Sequence, residues 1–98
     1  MTDQFSSNVH ALVNATKGHG AVPPEPSDAR HIRRLAEPVA IQRDNPFVVG
    51  HTLPQLLAID FAEATLAWLD DPTSGAEVAR FRSTRSALLQ ALHDEPDD

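Results

Sequence analysis

The sequence predicts an all-α protein: a small three- to four-helix bundle with a C-terminal antiparallel αα-hairpin, an extended proline-rich arm and a disordered acidic tail. Three observations predict this class. Apolar residues recur at helical spacing throughout 53–70, the longest stretch with a single period. The β-favouring triplet 47–49 is too short to build a sheet. Finally, 98 residues are enough for one domain at most.

We expect a single small helical domain over residues 1–93. Within it, residues 18–27 form the extended arm, and residues 52–92 form the helical hairpin at the core. Residues 94–98 follow as the tail, because this short run of acids with one proline has no apolar surface to bury.

The first predicted helix covers residues 5–17. One face of it carries the side chains that repeat at helical spacing: Phe5, Val9, Leu12, Val13 and Thr16. Gly18 follows at the place where a helix commonly ends in a left-handed residue. In the arm after it, three prolines favour the extended polyproline II conformation. We interpret this arm as a stiff spacer, and alternatively as a ligand for an aromatic groove on another protein.

A second helix is predicted over residues 28–37, with Ser27 or Asp28 as its N-cap. Pro38 should end or kink this helix, because a proline inside a helix removes a hydrogen bond and clashes with the preceding turn. A continuation as helix over residues 39–42 is left open.

The third helix, 53–70, is apolar around most of its circumference, and its polar strip with Asp60 and Glu63 is narrow. A helix of this kind is usually buried by neighbours on two sides, so we expect Trp68 to be shielded from water. Thr52 is its predicted N-cap.

The fourth helix is predicted over residues 75–93. Ser74 and Glu77 have the spacing of a capping box at its start. Only a few residues separate it from the third helix, and so short a connection favours antiparallel neighbours.

Charge and composition argue against several classes of function. The net charge is −6, with five acids and five bases in residues 1–50 but nine acids and three bases in residues 51–98. Non-specific attraction to nucleic acid or anionic lipid is therefore disfavoured. The chain has no cysteine, and no apolar run approaches the ~20 residues that span a membrane. With no leader signature at its start, we expect a cytoplasmic protein, and its arginine-rich and alanine-rich usage suggests a bacterium or its phage.

One charged cluster is predicted between the last two helices. Arg85 falls inside the apolar stripe of the fourth helix, while Asp60 and Glu63 form the polar strip of the third. We interpret the three as a structural ion pair that fixes the register of the hairpin. The alternative is a charged pocket for a small ligand.

The sequence shows no pattern that indicates catalysis. Its five histidines lack the spacing of a metal site, and it has no nucleophile elbow or glycine-rich phosphate loop. We therefore expect no enzymatic activity, no cofactor and no bound metal.

By elimination, we expect a protein-interaction module, such as a small adaptor, a regulator or inhibitor, or a structural subunit, that binds a protein partner or a second copy of itself. Residues 47–49 are interpreted as an extended segment that plugs the core, or alternatively as an edge strand or a strand pairing between chains. The candidate partner-binding residues are Val39, Ile41, Phe47, Val48, Val49, Arg30, Arg33 and Arg34. The alternative function is a DNA-binding transcriptional regulator with a helix-turn-helix-like element, in which the three arginines contact phosphates.

Overall fold

The computed structural model describes residues 4–20, 23–44 and 53–94. These residues form four α-helices: α1 (Gln4–Ala15), α2 (Pro26–Ala40), α3 (Leu53–Asp70) and α4 (Gly75–Asp94). A short 3-10 helix, Ile41–Asp44, continues directly from α2. Residues 4–20, 23–44 and 53–94 contain no strand, and the radius of gyration of 13.1 Å matches the ~13 Å of a compact domain of this size. The prediction of an all-α bundle is confirmed.

Helix α3 lies at the centre of the bundle. It packs against α2 and α4, while α1 packs against α2. Phe61 and Trp68 are both fully buried, as the apolar surface around this helix predicts. The limits of α3 agree with the predicted range 53–70. Since neighbouring helices cover two sides of α3, its apolar surface is buried within the chain from Ala58 to Trp68.

Aromatic side chains form the contact between α3 and α4. The ring of Phe81 stacks on Trp68 with a centroid distance of 4.4 Å and lies 5.6 Å from the ring of Phe61. Only residues 71–74 connect the two helices. The hydroxyl of Ser74 accepts a hydrogen bond from the backbone N–H of Glu77 at 3.4 Å, so the predicted N-cap of α4 is confirmed. The antiparallel course of the pair stays a prediction.

Helix α1 ends two residues before the predicted limit. The N–H of Lys17 donates to the carbonyl of Asn14, three residues back, at 3.3 Å, so the last turn tightens and the helix stops. Gly18 then adopts a φ of +83°, as predicted for the residue past the helix end. The chain turns back here, and Gly20 is buried against α4. The first part of the predicted extended arm is therefore a packed turn.

Helix α2 is longer at both ends than predicted. It begins at Pro26, and its N-cap is Glu25 without a side-chain hydrogen bond, so the prediction of Ser27 or Asp28 as the cap is wrong. A proline costs no hydrogen bond at the first position of a helix. The helix also continues through Pro38 to Ala40. The N–H of the next residue, Ile41, donates to carbonyls within α2, so the helical course is maintained at this end although Pro38 has no N–H to donate.

Several predictions lie outside the described residues. They are part of the arm at residues 21–22, the triplet 47–49, the cap at Thr52 and the acidic tail at residues 95–98. Asp94, the first residue of the predicted tail, is the last residue of α4. No helix within the described ranges is both long enough and apolar enough to cross a membrane.

Candidate interaction surface

Val39 and Ile41, two of the predicted partner-binding residues near the end of α2, differ in their exposure to solvent. Val39 is fully buried, whereas the side chain of Ile41 is 66% exposed. Because α2 does not stop at Pro38, Val39 stays on the same buried face as Ile32 and Ala36. Its assignment as a partner-binding residue is therefore wrong, and it belongs to the core. Phe47, Val48 and Val49 lie outside the described residues.

Two further apolar side chains are exposed at the start of α3. Leu53 is 67% exposed and Leu56 is 37% exposed. Their spacing continues the apolar pattern of the helix and so predicts burial for both. The signal that could have found them is position: a residue in the first turn of a helix extends beyond the neighbours that cover the middle. We call Ile41, Leu53 and Leu56 the apolar surface; it lies on the two sides of residues 45–52 along the chain.

A charged network fixes the 3-10 helix beside this surface. Arg43 binds Glu63 through two hydrogen bonds, from Nε to Oε2 and from Nη2 to Oε1, each 2.9 Å long. The same guanidinium also donates to Asp60. These three side chains remain 34–48% exposed, so the ion pairs contribute at most about 1 kcal/mol to stability. Their effect is geometric: they hold the turn that carries Ile41 against α3.

The hydrogen bonds of this network act on the arginine itself. The bond to Glu63, and after it the bond to Asp60, raise the pKa of Arg43 above its ordinary value. A raised pKa means that the folded state favours the charged form, so the contribution of Arg43 to stability is present below the ordinary pKa of an arginine for as long as the two carboxylates are ionised, and it is lost as the pH rises through the raised pKa. The guanidinium is therefore a permanent positive charge between two carboxylates.

Arg85 does not form the predicted ion pair with Asp60 and Glu63. Its Nε donates to the hydroxyl of Thr16 and its Nη2 donates to the carbonyl of Val13, both at 3.3 Å. The physical reason is that the last turn of α1 lies beside Arg85, and carbonyls at a helix C-terminus are attractive partners for a cation. Arg43, which takes the two carboxylates instead, lies in the 3-10 helix, one residue past the stretch 39–42 whose helical continuation the sequence left open.

The three arginines predicted on α2 fall into two groups. Arg33 donates to Asp70 at 2.7 Å and so connects α2 to the end of α3. Arg30 and Arg34 are exposed. Contact of Arg30 and Arg34 with a partner stays a prediction, whereas Arg33 has a structural partner within the chain.

Residues 4–20, 23–44 and 53–94 contain no group of three histidine, cysteine, aspartate or glutamate side chains placed to hold a metal ion. Comparisons with protein-family models, with curated proteins and with solved structures found no match for this chain. Its function is therefore inferred from the geometry of the molecule.

Proposed function

We propose that the chain is a non-enzymatic protein-interaction module, a small adaptor, regulator or structural subunit, that binds a protein through its apolar surface. The observation that carries this proposal is the exposure of Ile41 and Leu53, two large aliphatic side chains of which two thirds face solvent. Single exposed apolar residues are ordinary, and we infer that these two belong to one interaction site because the 3-10 helix that carries Ile41 packs against α3, which carries Leu53. These two flank a segment, 45–52, that adds three more large apolar residues in sequence.

The energy available from such a surface is sufficient to contribute to specific binding. Burying an aliphatic side chain fully stabilises a complex by about 1.5–3 kcal/mol, and these side chains are already partly covered, so each offers somewhat less. The Arg43 network lowers the ordering cost that binding normally incurs, because the turn that carries Ile41 is tied to α3 in the free protein. We expect the apolar surface to act as an anchor with the charged network at its edge.

The proposal is tested by making the surface polar. Ile41→Gln and Leu53→Gln, singly and together, are compared with Leu89→Gln, which makes the same change at a leucine 36% exposed on α4. Mass in solution is measured by light scattering, and partners are captured from a native lysate at low and high salt. We expect a complex that persists at high salt, weakens in the two surface variants and survives in the Leu89 control.

Three outcomes would contradict the proposal. One is a monomer that captures no protein at high salt. Another is a loss of complex formation in Leu89→Gln as large as that in the Ile41 and Leu53 variants, which would point to general destabilisation. The third is retention on DNA that falls steeply with salt, which would favour the nucleic-acid-binding alternative.

A further inference from the structure

A cleft of about 280 Å³ opens between the turn that follows α1 and the middle of α4. Its lining is His19 from the turn and Phe81, Arg82, Arg85 and Ser86 from α4. None of these five residues belongs to the apolar surface. The cleft is a separate feature of the molecule, and what it binds does not depend on the proposed function.

Gly20 holds the turn close to α4. It is buried and has a φ of +113°, a conformation that side-chain-bearing residues rarely adopt. A Cβ at this position would lie 3.3 Å from Cε2 of Phe81 and 3.4 Å from Cγ of Arg82. The backbone therefore approaches α4 as closely as a glycine allows, and His19, the preceding residue, lines the same cleft as Arg82 and Arg85.

Arg85 is fixed in place before any ligand arrives. Thr16, its partner at Nε, is fully buried and itself donates to the carbonyls of Leu12 and Val13. A guanidinium has five N–H groups, and two of those of Arg85 donate to Thr16, just past α1, and to Val13 in its last turn. The described residues thus leave three N–H groups for a ligand. A pinned cation loses little side-chain entropy when an anion binds.

The composition of the lining selects the chemical class of the ligand. It contains two guanidinium groups, one imidazole and one hydroxyl, and no carboxylate. The chain as a whole has a net charge of −6, but this cleft carries two positive charges and no negative one. Its lining therefore offers mainly hydrogen-bond donors. Arginines form short, strong hydrogen bonds with carboxylate and phosphate oxygens. The size is at the lower limit for a ligand pocket, about 300 Å³, which suits a small ion or the end of a larger molecule.

We propose that this cleft binds an oxyanion, a phosphate or carboxylate group, between Arg82 and Arg85, with His19 and Ser86 as additional donors. Arg85 supplies a positive charge whose position is fixed by its hydrogen bonds to Thr16 and Val13. Arg82 is exposed and closes over the ion from the solvent side.

The test uses inorganic phosphate and acetate, each titrated at constant ionic strength against sodium chloride. Trp68 is the only tryptophan, and its ring centroid lies 6.2 Å from that of His19, so its fluorescence reports on the cleft. We expect a saturable change with at least one oxyanion and none with chloride. Tighter binding of phosphate assigns a phosphoryl ligand, and tighter binding of acetate assigns a carboxylate.

Variants locate the binding. Arg82→Gln should weaken it about tenfold, which corresponds to ~1.4 kcal/mol for one charge-assisted hydrogen bond. Arg80→Gln is the matched control, because Arg80 is exposed on the same helix and does not line the cleft. Ser86→Ala should weaken binding about two- to tenfold without a change in net charge. The inference is overturned if neither ion gives a saturable response, or if Arg80→Gln weakens binding as much as Arg82→Gln.

Discussion

The rings of Trp68 and Phe81 stack with their centroids 4.4 Å apart and an angle of 16° between their planes. Both side chains are fully buried, as is Phe61, whose centroid lies 5.6 Å from that of Phe81. Phe81 thus touches two aromatic side chains of the central helix and is itself approached by the turn at Gly20. Three parts of the chain meet at this ring.

Phe81→Ala should therefore destabilise the protein strongly. We expect a loss of about 3–5 kcal/mol, because the change removes buried contacts and leaves a cavity. Phe81→Leu should cost less, about 1–2 kcal/mol, since leucine fills part of the space. Urea unfolding followed by circular dichroism measures both. If Phe81→Ala unfolds at the wild-type midpoint, the stack is not a major part of the core.

The glycines provide a second, graded prediction. Gly20→Ala should destabilise by more than Gly18→Ala, because both have positive φ but only Gly20 lies against other side chains. The conformational strain alone costs about 1–2 kcal/mol, and the contact with Phe81 adds to it. Gly75→Ala is the control: it starts α4 with open space around it and should be neutral or stabilise by up to ~1 kcal/mol. Equal effects at Gly18 and Gly20 would argue against close packing of the turn.

Helix α2 continues through Pro38, where the sequence predicts an end or a kink. Substitutions of its two prolines measure what this continuation costs in stability. Pro38→Ala should stabilise the protein by about 1 kcal/mol or more, because it restores a backbone donor and removes the clash with the preceding turn. Pro26→Ala, at the start of the same helix, should change stability little, since proline is well suited to that position. Thermal unfolding of the two variants gives the comparison. A destabilising Pro38→Ala would show that the packing of the ring outweighs the missing hydrogen bond.

The sequence predicted those features of the fold that depend on residues within a single helix or turn. Helix α3 has the predicted limits because its apolar period is unbroken over 53–70 and a proline follows shortly after. Trp68 is buried because it lies on the broad apolar surface of this helix, where it stacks on Phe81 of α4. The Ser74 cap depends only on residues within one turn.

Pairings between distant residues could not be predicted in the same way. The carboxylates of Asp60 and Glu63 can accept any arginine that the fold brings near, and helical periodicity does not say which one. The continuation of α2 past Pro38 brings Arg43 to them. The docking of α1 gives Arg85 a different partner, 69 residues away in sequence at Thr16. The cleft beside it could not be predicted either, since one of its walls is His19, in a turn that the sequence predicts as part of an extended arm.

We predict that salt affects the stabilising contributions of Arg43 and Arg85 differently. Arg43→Met should cost less than about 1 kcal/mol, because its ion pairs are solvent-exposed, and the cost should shrink as salt rises. Arg85→Met should cost about 1–2 kcal/mol, because it removes hydrogen bonds from a charged donor to the end of α1. That cost should persist in high salt, since these partners are a carbonyl and a hydroxyl rather than carboxylates. Urea unfolding at low and high sodium chloride separates the two cases.

Arg85→Lys distinguishes the geometry of Arg85 from its charge. Lysine keeps the positive charge but lacks the planar fork that reaches Thr16 and Val13 together, so we expect it to recover only part of the lost stability. Full recovery by lysine would mean that charge alone matters at the end of α1. If Arg85→Met is instead neutral or stabilising, the hydrogen bonds only offset the cost of desolvating the guanidinium. The attachment of α1 to α4 would then depend on apolar packing and on the turn at Gly20.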